Sequence, residues 1–312
     1  MFKKLVKKIA LVATLACMAT SVAAATACNI ETKHPKVRIT VEFNHETYEL
    51  DYTLYRNMYP NTVRHFIELA DSGIYDNIIV HDYKTSDWLS GAFGYVAEDY
   101  VSAMEDSSDN PFAHYLAENS IEDKYMELFN SGKLTPTVYA KEEIVDGEKV
   151  IAKDSAMPTL IGEFANNIGQ TIEQGSLSAS KGTLKMYYYA KETTQKVFVT
   201  PKKDSDYYFA DYKSNCATST FAMQVGSTSN SINAAGYCVF GKMDSTNKLD
   251  SLLDAIADYY ANSDDSKTKT ATDIPVDNWD EYSTEAADRG IEVNFALPTM
   301  PIVIKTVKVT KH

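Results

Sequence analysis

Between Lys36 and Phe43 the apolar residues fall at every second position: Val37, Ile39, Val41 and Phe43. That period marks a strand with one buried face. The alternation resumes from Tyr48 to Tyr55 beyond a turn at Asn44-His45, and closes the chain from Pro301 to Val309. Further short strands are predicted at Ile78-Ile79-Val80-His81, Lys181 to Tyr187, Phe221 to Val225 and around Val239-Phe240. Helical spacing places Val63, Phe66, Ile67 and Ala70 on one helix face, with Asn61 or Thr62 as its cap and Gly73 as its stop. A second amphipathic helix is expected from Leu249 to Tyr260, with Leu252, Leu253, Ile256 and Tyr260 on one side. Many short strands and two such helices imply a mainly β chain, a closed or nearly closed antiparallel barrel capped at its ends.

The N-terminus stands apart. Lys3, Lys4, Lys7 and Lys8 precede an apolar, small-residue run from Ile9 to Ala27, so residues 1–28 are a secretory signal by pattern. Ala25-Thr26-Ala27-Cys28 resembles a bacterial lipobox, which makes Cys28 the expected lipid attachment. Ordinary cleavage after the Ala-rich stretch is the alternative. The location expected is the outer face of the bacterial cytoplasmic membrane, or secretion. Losing residues 1–27 removes four lysines and no acid from a net charge of −13, leaving −17. So acidic a chain repels nucleic acid and anionic headgroups, so no nucleic-acid partner is expected and the membrane is met only through the anchor. Cys216 and Cys238 remain after export; they bridge, or Cys238 is a small apolar strand residue and Cys216 a loop thiol.

Three stretches interrupt the strand pattern, at about 97–157, 190–215 and 262–290. The first holds an acidic run and helical spacing from Tyr115 to Phe129. Each is expected as an insertion into one domain spanning 29–312.

Six blocks in order carry a family resemblance. They are Pro60-Asn61-Thr62-Val63-Arg64-His65-Phe66, His81-Asp82, Gly162-Glu163-Phe164, Gly182-Thr183-Leu184-Lys185-Met186, Ser219-Thr220-Phe221-Ala222 and Val239-Phe240-Gly241-Lys242. The sequence resembles cyclophilin-type peptidyl-prolyl cis-trans isomerases. That resemblance implies a closed eight-stranded antiparallel β-barrel capped by two helices, with Phe66, Phe164, Phe221 and Phe240 in one interior. It also implies an isomerase that assists folding of exported proteins, with a proline-containing peptide or unfolded exported chain as partner and no cofactor.

The reaction sets the residues it needs. Rotation about an X–Pro amide crosses a barrier of about 18–20 kcal/mol, lowered by stabilising a twisted amide whose nitrogen accepts a hydrogen bond. The family resemblance implies an arginine donating to that nitrogen, an apolar pocket for the ring, and amide side chains gripping the backbone. Here Asp82 follows His81 where the arginine belongs, and Asp87-Trp88-Leu89-Ser90 replaces a Phe-Met-x-Gln turn. Tyr187-Tyr188 replaces an Ala-Asn pair, Thr220-Phe221-Ala222 a Gln-Phe-Phe strand, and Ile232, Asn233 and Tyr237 fall at the remaining groove positions. The groove candidates are therefore Asp82, Trp88, Ser90, Tyr187, Tyr188, Thr220, Ala222 and Tyr237, with no catalytic residue confirmed. A replacement cation would come from Lys84, two residues along the strand from Asp82, or from Lys202 or Lys203; a solvated lysine is the other reading of Lys84. The alternative function is a non-catalytic cell-surface module that binds a peptide or glycan in the altered groove. Asp204-Ser205-Asp206 lacks the turn glycine and terminal glutamate of a calcium loop, and no His/Cys pair has zinc spacing, so no metal is expected.

Overall fold

In a computed structural model of the chain, the described residues are 33–106, 110–135, 137–163, 177–199, 208–227, 237–263, 266–274 and 293–312. The leader with Cys28, Phe164, Lys202, Lys203, Asp204-Ser205-Asp206, Ile232 and Asn233 lie outside them.

The chain begins with the hairpin β1 (Lys36–Phe43) and β2 (Glu46–Leu54), then helix α1 (Pro60–Asp71) and the short strands β3 (Ile78–Ile79), β4 (Asp82–Tyr83) and β5 (Asp87–Ser90). Helices α2 (Ala97–Glu105), α3 (Pro111–Glu118) and α4 (Glu122–Asn130) follow, then the hairpin β6 (Thr137–Val145) and β7 (Glu148–Met157) and the short β8 (Leu160–Ile161). Next come β9 (Thr183–Tyr187), β10 (Tyr189–Val199), β11 (Tyr208–Ala217), β12 (Phe221–Gln224) and β13 (Tyr237–Met243). Helix α5 (Asn247–Ala261) and strands β14 (Thr268–Ile274), β15 (Val293–Pro298) and β16 (Ile302–Lys311) complete the fold.

The alternation read in β1 is its burial pattern: Val37, Ile39, Val41 and Phe43 are buried and their neighbours are not. Asn44 and His45 turn the hairpin with φ of 47° and 66°, the left-handed pair that matches strand twist in a two-residue connection. The principal sheet has nine strands in the order β3-β16-β1-β2-β13-β9-β12-β5-β4. Phe66 of α1 packs inside its curve, 5.3 Å from Phe221 and 5.0 Å from Phe240. Removing such a buried ring costs about 3–5 kcal/mol.

Helix α1 begins at Pro60, whose fixed φ and missing N–H suit a first helical position. Asn61 and Thr62, expected as caps, lie inside the helix. Their amides are satisfied from 102 and 101 residues away: Glu163 accepts Asn61 N at 3.2 Å and Thr62 N at 2.7 Å. A carboxylate there satisfies orphan amides and meets the positive end of the helix dipole. Gly162-Glu163 is thus the remote cap of α1.

The segments expected as separate insertions pack on one another. The β6–β7 hairpin pairs with β10 through Tyr139↔Val197 and Ala140↔Lys196, building a second, five-stranded sheet in the order β7-β6-β10-β11-β8. Tyr100, Phe112, Tyr115 and Leu116 of α2 and α3 share a hydrophobic cluster with Ala271, Phe295 and Leu297 of the β14–β15 hairpin, closed on the sheet side by Ile79 and Phe93. The helical spacing over Tyr115 to Phe129 belongs to two helices, broken at residues 119–121, and Ile121 and Tyr125 join the main core. Cys238 is a free, buried thiol in β13. Among the described residues no helix is long and apolar enough to cross a membrane.

Candidate functional site

Strands β4, β5, β12 and β9 lie side by side, and their registers bring the groove positions into rows. Asp82 faces Leu89, Leu89 faces Ala222, and Ala222 faces Lys185. The next row runs Tyr83–Trp88–Met223–Leu184. Side chains alternate across a strand, so the two rows occupy opposite faces. Trp88, Met223 and Leu184 belong to the main core.

The expected groove residues therefore divide. Asp82, Ala222 and, by parity, Tyr187 and Thr220 share the face away from the core. Trp88 is 1% exposed on the core face, stacked on Tyr83 at 5.6 Å. Ser90 is buried and donates to Ile79 O at 2.8 Å. Tyr188 is buried with its hydroxyl 2.7 Å from Thr62 Oγ1, and burial carries its pKa well above the ordinary tyrosine value. These three are interior residues: the register sets Ser90 opposite Phe221 and Trp88 opposite Met223, and Tyr188 belongs to the main core. Tyr237 pairs with Tyr187 in the β13–β9 register.

Asp82 is 2% exposed. Its Oδ1 accepts the amide of Ala296 in β15 at 3.1 Å, and its Oδ2 pairs with Lys84 Nζ at 2.5 Å. Lys84 therefore neutralises Asp82. Beside it His81 is enclosed between Phe93 at 5.0 Å and Phe295 at 4.8 Å, and burial lowers its pKa to about 3. The β14–β15 hairpin thus covers the position at which the resemblance implies an arginine.

The positions at which the resemblance implies a proline pocket are occupied as well. Asp87 stands where the resemblance implies a phenylalanine, and its carboxylate pairs with the Lys185 ammonium, the two side chains being 7% and 0% exposed. Burial lowers the Lys185 pKa, while the hydrogen bond and charge of Asp87 act against that shift. Ala222, the other phenylalanine position, lies directly opposite Lys185 and leaves room for its stem. Gln224, fully buried, faces Asp87 across the β12–β5 register. Lys185, Asp87 and Gln224 were not among the sequence candidates. The signal for Lys185 is a lysine set between Leu184 and Met186 in an otherwise apolar strand. Among the described residues no group of three or more His, Cys, Asp or Glu could hold a metal ion.

The strand order, the remotely capped α1 and the β4–β5–β12–β9 face belong to a mainly β protein, and its sequence assigns the class. A family model, "Cyclophilin type peptidyl-prolyl cis-trans isomerase/CLD", matches residues 38–280, and the chain belongs to that family. No curated protein matches the chain. Among solved structures, it is similar to a cyclophilin type peptidyl-prolyl cis-trans isomerase of Cryptosporidium parvum, at 15% identity over 89% of this chain and 99% of that one, TM-score 0.40. The same protein in the presence of the dipeptide Ala-Pro gives 16% identity over the same shares, TM-score 0.39. The Mimivirus cyclophilin gives 15% identity over 76% of this chain and 84% of that one, TM-score 0.36.

Proposed function

We propose that the chain is an exported cyclophilin that holds peptide segments of unfolded exported proteins without isomerising them by an arginine-assisted route. The Lys185–Asp87 pair at the proline-pocket positions carries this reading. Catalysis needs an apolar seat for the ring and a donor aimed at the prolyl nitrogen; here the seat is ionic and the donor position is an acceptor bonded to Ala296 N. The hydrogen bonds donated by Val80 N to Ile302 O at 2.9 Å and by His81 N to Leu89 O at 3.0 Å support reading the sheet as a closed barrel whose ends meet through residues 78–83. The basic leader and Ala25-Thr26-Ala27-Cys28 support attachment by lipid at Cys28 on the outer face of a bacterial membrane. A refolding assay on a proline-limited, aggregation-prone chain tests the function. Suppressed aggregation with an unchanged slow phase is expected; an accelerated slow phase, or no suppression, would overturn it.

Isomerase activity is the second reading, favoured by the family match alone. It requires another cation over the groove and a rearranged Lys185.

A further inference from the structure

A cleft of about 620 Å³ opens between the β1–β2 turn and the end of α5. Phe43, Glu46 and Tyr48 line its hairpin side and Asp258, Tyr259 and Asn262 its helix side. It shares no residue with the β4–β5–β12–β9 face, and its reading does not depend on that of the groove. Asp258, Tyr259 and Asn262 recur at helical spacing and so present one face. Phe43 meets Tyr259 edge to face at 5.6 Å, which fixes that ring in the wall.

The charge of the cleft is one-sided. Among the described residues none that lines it is basic, and the last turn of α5 carries no basic residue. Among the described residues neither Glu46 nor Asp258 has an ion-pair partner; Glu46 Oε2 accepts only the Tyr48 hydroxyl, at 3.1 Å. The C-terminal end of α5 adds its own partial negative charge. Two uncompensated carboxylates beside tyrosine rings, at a helix C-terminus, suit a cation that carries an apolar or planar body. The volume lies within the range of small-ligand sites. Two carboxylates are too few to satisfy a hard metal ion that asks for six or more oxygens.

We propose that this cleft binds an organic cation, a guanidinium or primary ammonium group, between Tyr48 and Tyr259 with Glu46 and Asp258 as counter-charges. Titration of the full chain with N-acetyl-arginine amide, N-acetyl-lysine amide, agmatine and calcium, followed by calorimetry and by the NMR shifts of Tyr48 and Tyr259, tests it. N-acetyl-citrulline amide is the neutral control. At least one cation should saturate the site, at least tenfold more tightly than the citrulline amide. The exposed double variant Glu46→Gln/Asp258→Asn should weaken it at least tenfold while keeping the native circular dichroism. Preference for the blocked residues over agmatine assigns the source to peptide side chains, and the reverse to free amines. Equal binding of the citrulline amide, absence of saturation, undiminished binding by the double variant, or displacement by equimolar calcium would each overturn the proposal.

Discussion

The Lys185 ammonium and the Asp87 carboxylate form an ion pair inside the protein, reaching across β12 from strands β9 and β5 on the sheet face where the family resemblance implies a prolyl ring. Taking both charges out of water is expensive, and their attraction with a good geometry roughly offsets that cost. Removing one partner strands the other. Lys185→Ala and Asp87→Ala should each destabilise by about 3–5 kcal/mol, whereas Lys185→Met with Asp87→Leu should be neutral or stabilising. Urea denaturation of the three variants checks this, and a double variant as unstable as the singles would contradict it.

Asp82 anchors β15 rather than facing a substrate. Asp82→Asn retains an acceptor for Ala296 N and should fall within about 1 kcal/mol of the parent, since the exposed Lys84 side of the pair contributes little. Asp82→Arg removes the acceptor and forces a guanidinium into a buried site, and should cost about 2–4 kcal/mol. It should bring no prolyl isomerisation with it. Thermal melts and a protease-coupled assay on the same samples separate the two effects.

Two buried imidazoles make stability fall with acid. Burial holds His65 near a pKa of about 4 and His81 near about 3, both below the ordinary 6.5. The unfolded chain therefore takes up protons that the folded one refuses. Their contribution is complete above pH 6.5 and is lost as pH falls from there towards 4 for His65 and 3 for His81. Each group adds a slope of about 1.4 kcal/mol per pH unit in that window. His81→Leu, which keeps the ring pocket between Phe93 and Phe295 apolar, should remove one proton from the linkage measured by denaturation at pH 7, 6, 5 and 4. An unchanged linkage would contradict the burial argument.

Glu163 supplies what the start of α1 lacks. Glu163→Ala leaves the Thr62 amide without its buried acceptor and should cost about 2 kcal/mol. Glu163→Gln, with one carbonyl oxygen left, should recover part of that. Hydrogen exchange at residues 61–63 reads the cap directly, and unaltered protection in Glu163→Ala would contradict it.

What the sequence makes legible follows from range. The β1–β2 hairpin, α1, α5 and the last strand are written in local periodicity, and they stand where the alternation and helical spacing put them. Glu163 as the cap of Thr62, 101 residues apart, has no local signature, so Asn61 and Thr62 looked like their own caps. Trp88 looked like a groove residue because the loop between Tyr83 and Asp87 hides which face it takes; only pairing with Met223 settles that. The three irregular stretches read as separate because strand pairing such as Tyr139 with Val197 depends on partners, not on composition. Its apolar neighbours mark Lys185 only weakly as a site residue, because a lysine in a strand usually points to water.

Lys185 and Asp87 form an ionic pair at the positions where the family resemblance implies a proline seat. Exchange spectroscopy on an Ala-Pro peptide with the full chain in stoichiometric amount measures the consequence. A cis–trans exchange rate equal to that of the free peptide in buffer is expected. A rate raised tenfold or more, and restored to the buffer value by Lys185→Met/Asp87→Leu, would contradict it.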